Sequence, residues 1–118
     1  MAGRFPLYTD ENVKGALIRA LRQSGWDIVR AIDVFPEGTA DDVHLEHAAN
    51  QDRVLVTNDE PLQATAHQWL REGKTIPRLI EWPQEKYKRM TIGELVQKFS
   101  ELAEQDQPFN PDYPIIHF

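Results

Sequence analysis

Paired acidic residues occur at three separate places in this sequence, each just past a predicted strand or at the start of a predicted helix. The three segments are "YTDEN" (Asp10, Glu11), "TADDV" (Asp41, Asp42) and "VTNDE" (Asp59, Glu60). Hard divalent cations such as Mg²⁺ prefer carboxylate oxygens and retain several waters. A convergence of these acids would therefore suit one or two such ions, which would also offset the repulsion between the carboxylates.

Metal-bound carboxylates of this kind point to phosphodiester hydrolysis. A bound ion can lower the pKa of a coordinated water and neutralise charge on the phosphodiester, and two ions about 4 Å apart can serve both the attacking and the leaving oxygen. This chemistry requires neither histidine nor cysteine, and the chain contains no cysteine. We expect Asp10, Asp41 and Asp59 to hold the ion and carry catalysis, with Glu11 and Glu60 assisting.

A structural interpretation of the same acids is helix capping. Aspartate is a favoured N-cap, and each of the three segments immediately precedes a predicted helix. Capping explains each acid separately, but it does not require doubled acids at all three places. For Asp10 we expect both roles, because its position suits a helix cap and also faces a crevice shared with Asp59.

The elements that must position these acids alternate between strand and helix. Apolar runs predict strands at residues 4–9, 26–34, 53–57, 77–82 and 115–118. Helical spacing predicts four helices, which begin near Val13, at Asp41 or Asp42, near Pro61 and after Thr91. This alternation predicts an α/β fold, a three-layer α/β/α sandwich with a mostly parallel sheet of four to five strands.

The same topology predicts where a ligand would bind. In such sheets ligands lie beyond the carboxyl ends of the strands, at the point where the strand order reverses. For a 2-1-3-4 order this point falls between the first and third strands. Asp10, Glu11 and Asp59 would then meet at one crevice.

Histidines, tryptophans and lysines offer weaker candidates for a site. His44 and His47 lie three apart on one helix, but no third ligand has an obvious spacing, so we interpret them as solvated surface residues. His67 and His117 stand alone and are interpreted as surface or partly packed residues. At least two of the three tryptophans are expected in the core. Lys14 is the cation nearest the first acids and could contact a substrate phosphate.

The composition predicts a single domain over residues 1–118, because the chain is long enough for one core and too short for two ordinary domains. With 13 Lys+Arg against 19 Asp+Glu, the net charge of −6 opposes unspecific adhesion to nucleic acids or anionic membranes. An RNA contact would therefore be local and metal-assisted. The lack of cysteine fits a reducing interior, and no signal peptide or membrane span is visible, so we expect a cytoplasmic protein.

The ordered segments "LYTDEN", "LRQSGWDIV", "TADDVHLEHA" and "RVLVTND" resemble the compact bacterial PIN-like domains, relatives of the VapC-type toxin ribonucleases, over roughly residues 5–82. The resemblance implies an α/β/α sandwich and an endoribonuclease that depends on Mg²⁺ or Mn²⁺ and is often paired with a small antitoxin protein. Matched position by position, its metal-binding acids fall on Asp10, Asp41 and Asp59. An apolar edge strand at residues 115–118 could pair with the antitoxin or with its own copy in a homodimer.

One departure from the resembled pattern leaves alternatives open. Similar sequences usually continue the last motif with a second aspartate and a phenylalanine, whereas this chain has Pro61 and Leu62. Glu60 could substitute, the site could hold one ion weakly, or the chain could be an inactive module that binds RNA or a protein. A phosphoacceptor receiver domain is a further alternative, but the last strand lacks the lysine and the fourth lacks the hydroxyl residue that it needs.

Overall fold

A computed structural model describes residues 4–118, with the backbone alone described at residues 86–88. The strands are β1 (Leu7–Thr9), β2 (Ile28–Arg30), β3 (Val54–Thr57), β4 (Leu79–Glu81) and β5 (Ile115–His117). The helices are α1 (Gly15–Gln23), α2 (Ala31–Val34), α3 (Asp41–Asn50), α4 (Glu60–Arg71), α5 (Gln84–Arg89) and α6 (Ile92–Ala103). The strands form one sheet in the order β2-β1-β3-β4-β5, and every pairing is parallel.

Helices cover both faces of this sheet, which confirms the predicted α/β/α sandwich. Side chains of a strand alternate between its two faces, so each strand supplies both cores. One core packs strand residues such as Leu7 and Val56 with apolar side chains of α1 and α6. The other packs Tyr8 and Leu55 with apolar side chains of α3 and α4.

The register of the sheet brings polar residues together at its carboxyl edge. Thr57 pairs with Glu81, and Glu81 pairs with His117, across β3, β4 and β5. Asp10 directly follows β1, and its backbone N–H donates to the Val56 carbonyl of β3 at 3.3 Å. By the alternation of side chains, Thr57, Glu81 and His117 lie on the α3/α4 face of the sheet.

Two elements differ from the sequence-based prediction. The strand predicted at residues 26–34 ends at Arg30, and Ala31–Val34 form α2, closed by a hydrogen bond from the Phe35 N–H to the Ala31 carbonyl at 2.9 Å. The apolar residues Ile32 and Val34 of this turn are exposed, so their alternation does not reflect burial in the sheet. The short helix α5 was not predicted.

The predicted helix caps are right for α4 and α6 and wrong for α1 and α3. The side chain of Asp59 caps α4 by accepting the Leu62 N–H at 3.1 Å, and Thr91 with Glu94 forms a capping box on α6. In contrast, α1 has Lys14 at its N-cap without a side-chain cap, so Asp10 does not cap it. Asp41 lies inside the first turn of α3, where the helix dipole favours a negative charge.

The tryptophan prediction is confirmed, because Trp26 and Trp82 are buried in the α1/α6 core and Trp69 is partly buried against the other core. Over the described residues, no helix is long and apolar enough to cross a membrane.

The capping box of α6 should make a measurable contribution to stability. Thr91→Ala removes the hydroxyl that accepts the Glu94 N–H, and we expect it to lower the free energy of unfolding by about 1 kcal/mol. Urea unfolding followed by circular dichroism measures this change. Thr75→Ala, at an exposed position outside the helices, is the control and should change stability by less than about 0.5 kcal/mol. Equal effects of the two variants would contradict the capping role.

Candidate metal centre

Asp10 lies buried at the carboxyl end of β1, with 6% of its surface exposed. The Thr57 hydroxyl of β3 donates to its Oδ2, and the Asn12 N–H donates to its Oδ1 at 2.8 Å. Two donors from different segments therefore fix both oxygens of one carboxylate. Each oxygen keeps a further lone pair with which it can bind a cation.

Asp59 follows β3 and is linked to Asp10 through the same two neighbours. The Asp59 N–H donates to the Thr57 hydroxyl oxygen at 2.9 Å, so Thr57 connects the backbone of Asp59 to the carboxylate of Asp10. The Asn12 amide Nδ2 donates to Asp59 Oδ1 at 3.4 Å. Because Oδ2 of Asp59 caps α4, Oδ1 is the oxygen directed towards the β1 segment.

Burial and like charge raise the pKa of Asp10 to about 6. The larger cause is desolvation of its carboxylate, and the negative charge of Asp59 adds to it. The hydrogen bonds from Thr57 and Asn12 lower the pKa and offset part of this rise. An ionised Asp10 therefore lowers the free energy of unfolding, and a cation beside the carboxylate would remove this loss of stability.

Asp41 belongs to the same electrostatic group. Partial burial raises its pKa, the charge of Asp59 raises it further, and His44 opposes the change. Asp59 therefore repels both Asp10 and Asp41. The structure links Asp10 and Asp59 through Thr57 and Asn12 beyond β1 and β3, and Asp41, from the first turn of α3, interacts with Asp59 through its charge.

The other predicted site residues lie around this group with exposed side chains. Glu11 is near enough for its charge to raise the pKa of His44, against the lowering effect of burial. Glu60 is the first residue of α4, and no described contact joins it to the other acids. Lys14 is the N-cap residue of α1, four positions after Asp10. Their roles in metal or substrate binding stay predictions.

The prediction that His44 and His47 are solvated is wrong. Both are partly buried, and both rings pack edge-on against Phe35. The His44 Nδ1 lies 2.8 Å from the Tyr8 hydroxyl, and burial lowers the pKa of His44. The contact between His44 and Tyr8 joins α3 to β1 at the side of the crevice.

The sequence-based prediction did not include Asn12 and Thr57, the two residues that connect Asp10 with Asp59. Asn12 and Thr57 carry no metal-ligand signal, and their importance depends on β1 lying beside β3. The predicted strand order, combined with the motifs "TDEN" and "VTND", was the signal that could have identified them.

The donor set of Asp10, Asp41 and Asp59 fits a hard divalent ion. Carboxylate oxygens from separate loops on a rigid sheet are the ligands that Mg²⁺ and Mn²⁺ take. An ion shared by the three would relieve the repulsion that Asp59 exerts on the other two.

A second group of possible ligands was not foreseen, because His67 and His117 were each interpreted as standing alone. Both imidazoles instead contact the carboxylate of Glu81, and the three ligand atoms lie within 4.8 Å of one another. The group lies at β4 and β5, beyond Thr57 along the edge of the sheet.

Comparison with known protein families gives a match. A family model described as "PIN like domain" matches residues 6–73, which is more than half of the chain and includes all the predicted acids. No curated protein and no solved structure gives a significant match. The sheet order also occurs in doubly wound receiver domains, so the order alone would not separate the two families. β4 ends in Glu81 and β5 contains His117, where a receiver domain needs a hydroxyl residue and a lysine.

The raised pKa of Asp10 predicts a pH-dependent loss of stability in metal-free protein. Between the ordinary value of 3.8 and about 6, the folded chain binds more protons than the unfolded chain. The free energy of unfolding therefore falls as pH rises through this window, by up to about 3 kcal/mol. Asp10→Asn should remove this fall and be the more stable protein at pH 8, with no difference below pH 4.

Urea unfolding in chelator across this pH range measures the effect, with Asp42→Asn as the matched control, since Asp42 is exposed in the first turn of α3. If the free energy of unfolding changed with pH in the same way in wild type and Asp10→Asn, the pKa of Asp10 would not be raised in the folded protein.

Proposed function

The chain belongs to the PIN-like domain family, and from this premise we propose that it is a metal-dependent endoribonuclease. The observation that carries the proposal is the link between Asp10 and Asp59 through Thr57 and Asn12, together with the charge of Asp59 acting on Asp41. The charge of Asp59 acts on both other acids, so an ion bound beside Asp59 would relieve the repulsion among all three. A Mg²⁺ or Mn²⁺ ion bound there would supply Lewis acidity towards water and a phosphodiester.

The side chains of the protein would position that ion. Asp10 is held at both oxygens and shielded from water, which favours a fixed orientation towards the crevice. Asp59 is fixed by capping α4, and the Asn12 amide holds its second oxygen. Asp41 approaches from the first turn of α3. In this proposal Glu11 and Glu60, both exposed, assist from the rim of the crevice.

The substrate would be RNA, bound locally rather than across a basic surface. The net charge of −6 leaves little long-range attraction for a polyanion. Within the proposal, the divalent ion supplies most of the positive charge that a phosphate needs, and exposed Lys14 at the start of α1 contacts a neighbouring phosphate.

Pro61 favours a second candidate, an inactive PIN-like module that binds RNA without cutting it. Pro61 lies exposed in the first turn of α4, where it suits the helix but offers no side-chain ligand. The donor set near Asp59 is therefore one acid smaller than in the resembled pattern. RNA binding without cleavage by the pure protein, in Mn²⁺ and in Mg²⁺, would favour this candidate over the enzyme.

Cleavage of labelled single-stranded RNA in Mn²⁺ tests the enzyme. Asp59→Asn is the most informative variant, because asparagine also caps helices and should preserve α4 while removing the charged ligand. We expect kcat/KM to fall about 100-fold or more, since even outer partners of a metal contribute 10- to 100-fold. Asp42→Asn, which removes an exposed acid of the same helix turn as Asp41, should retain activity within about twofold.

Two results would contradict the enzyme. One is cleavage that persists in chelator, and the other is equal activity in wild type and Asp59→Asn. Circular dichroism of both variants checks that any loss of activity does not come from unfolding.

A small antitoxin and a homodimer are proposed partners. β5 is the last strand of the described sheet and pairs with β4 on one side, so its other side can accept a strand from a partner. Sedimentation equilibrium measures the homodimer, and a mass of 13.7 kDa at all concentrations would contradict it.

A further inference from the structure

We propose that His67, Glu81 and His117 form a second metal site, specific for a transition-metal ion such as Zn²⁺ and separate from the carboxylate centre. The three residues come from α4, β4 and β5, and the Glu81 carboxylate contacts both imidazoles. Its Oε1 is 2.7 Å from His67 Nε2 and 3.0 Å from His117 Nδ1. Two imidazole nitrogens and one carboxylate are a donor set that Zn²⁺ and related ions accept.

The spacing of the donor atoms suits a single ion. All three atoms lie within 4.8 Å of one another. Ligand atoms on Zn²⁺ stand about 2.0–2.2 Å from the ion, so two of them are at most about 4 Å apart. Small side-chain movements would therefore bring all three onto one ion, and a water could complete a tetrahedron.

The second oxygen of Glu81 has no hydrogen-bond partner in the described part of the chain, which supports the proposal that an ion binds here. The side chain is only 5% exposed, and its Oε2 is buried without a hydrogen-bond partner. A buried carboxylate whose oxygens are not fully paired is costly. Both histidine contacts are made by the other oxygen, Oε1, so an ion bound by Oε2, or by both oxygens, would give Oε2 the partner that the described side chains do not provide.

Tyr113 holds His117 in a ligand-like orientation. Its hydroxyl lies 3.0 Å from His117 Nε2, so Nδ1 is the nitrogen left facing Glu81. Histidines that bind metals usually donate the N–H of their other nitrogen to an outer partner, which fixes the tautomer and the ring. The His67 and His117 rings also stack, with centroids 5.9 Å apart and planes 17° apart, so both present their nitrogens to the same carboxylate.

This site is distinct from the carboxylate centre in place and in chemistry. β3 separates β1 from β4, and neighbouring strands are about 4.8 Å apart, so the strands bearing Asp10 and Glu81 are about 10 Å apart. The ions of a two-metal centre are only about 4 Å apart. Imidazole favours Zn, Cu, Fe and Ni ions, whereas the carboxylates of Asp10, Asp41 and Asp59 favour Mg²⁺ or Mn²⁺.

An ion at this site would cross-link β5 to neighbouring elements and so stabilise its position in the sheet. It would join the end of β5 to β4 and to α4, beside Phe118, which packs against Trp82 and Phe99 in the α1/α6 core. The expected effect is a rise in thermal stability on adding Zn²⁺, through binding to the folded state.

Co²⁺ titration of the untagged full chain tests the proposal, followed by calorimetry and visible absorption. Wild type should bind one Co²⁺ tightly, and Zn²⁺ should displace it, since Zn²⁺ binds such sites more strongly than Co²⁺. His117→Gln changes an exposed side chain and should lower the Co²⁺ affinity at least about 100-fold. Tyr113→Phe should lower it about tenfold by releasing the His117 ring.

Two control variants test whether Co²⁺ binds at this site or elsewhere on the protein. His47→Gln, which changes a histidine of α3, and Asp59→Asn, which changes the carboxylate centre, should both keep the tight Co²⁺ site. The proposal is overturned if wild type binds no Co²⁺ at millimolar concentration, if His117→Gln binds as tightly as wild type, or if Asp59→Asn alone abolishes binding. In each of those results His67, Glu81 and His117 form only an ion-pair network.

Discussion

The hydrogen bond from the Thr57 hydroxyl to the Asp10 carboxylate joins the two strands on which the candidate centre depends. It exists only because β1 lies beside β3, an arrangement that the parallel crossovers of the sheet impose. Burial raises the pKa of Asp10 and the charge of a second carboxylate, Asp59, adds to this rise, while the hydrogen bond from Thr57 offsets part of it. The fold thereby concentrates negative charge where a cation can relieve it.

Asp59 connects stability and chemistry in this arrangement. One of its oxygens caps α4, while the other receives the Asn12 amide, and its charge acts on Asp10 and on Asp41. The cap keeps Asp59 in place although its neighbours repel it. Substitutions here therefore need to preserve the cap if their effect on metal binding is to be interpreted.

Much of the fold followed from the sequence, because alternation of strands and helices restricts the topology strongly. The strand order predicted that Asp10 and Asp59 face one crevice, and the caps of α4 and α6 follow from local residue types. Residues 31–34 were predicted as strand because an apolar alternation does not reveal that a turn closes at Phe35. His67, Glu81 and His117 were missed because their contact depends on the pairing of β4 with β5, and no local spacing encodes it.

In the proposed function, Asp10, Asp41 and Asp59 together bind a divalent ion. A crystal structure of the protein with Mn²⁺, with data collected to show its anomalous scattering, tests this claim most directly. We expect an anomalous peak between β1 and β3 within about 2.0–2.6 Å of carboxylate oxygens of Asp10 and Asp59. An ordered Mn²⁺ that lies only elsewhere, with Asp10 still bound to Thr57 and Asn12 alone, would contradict it.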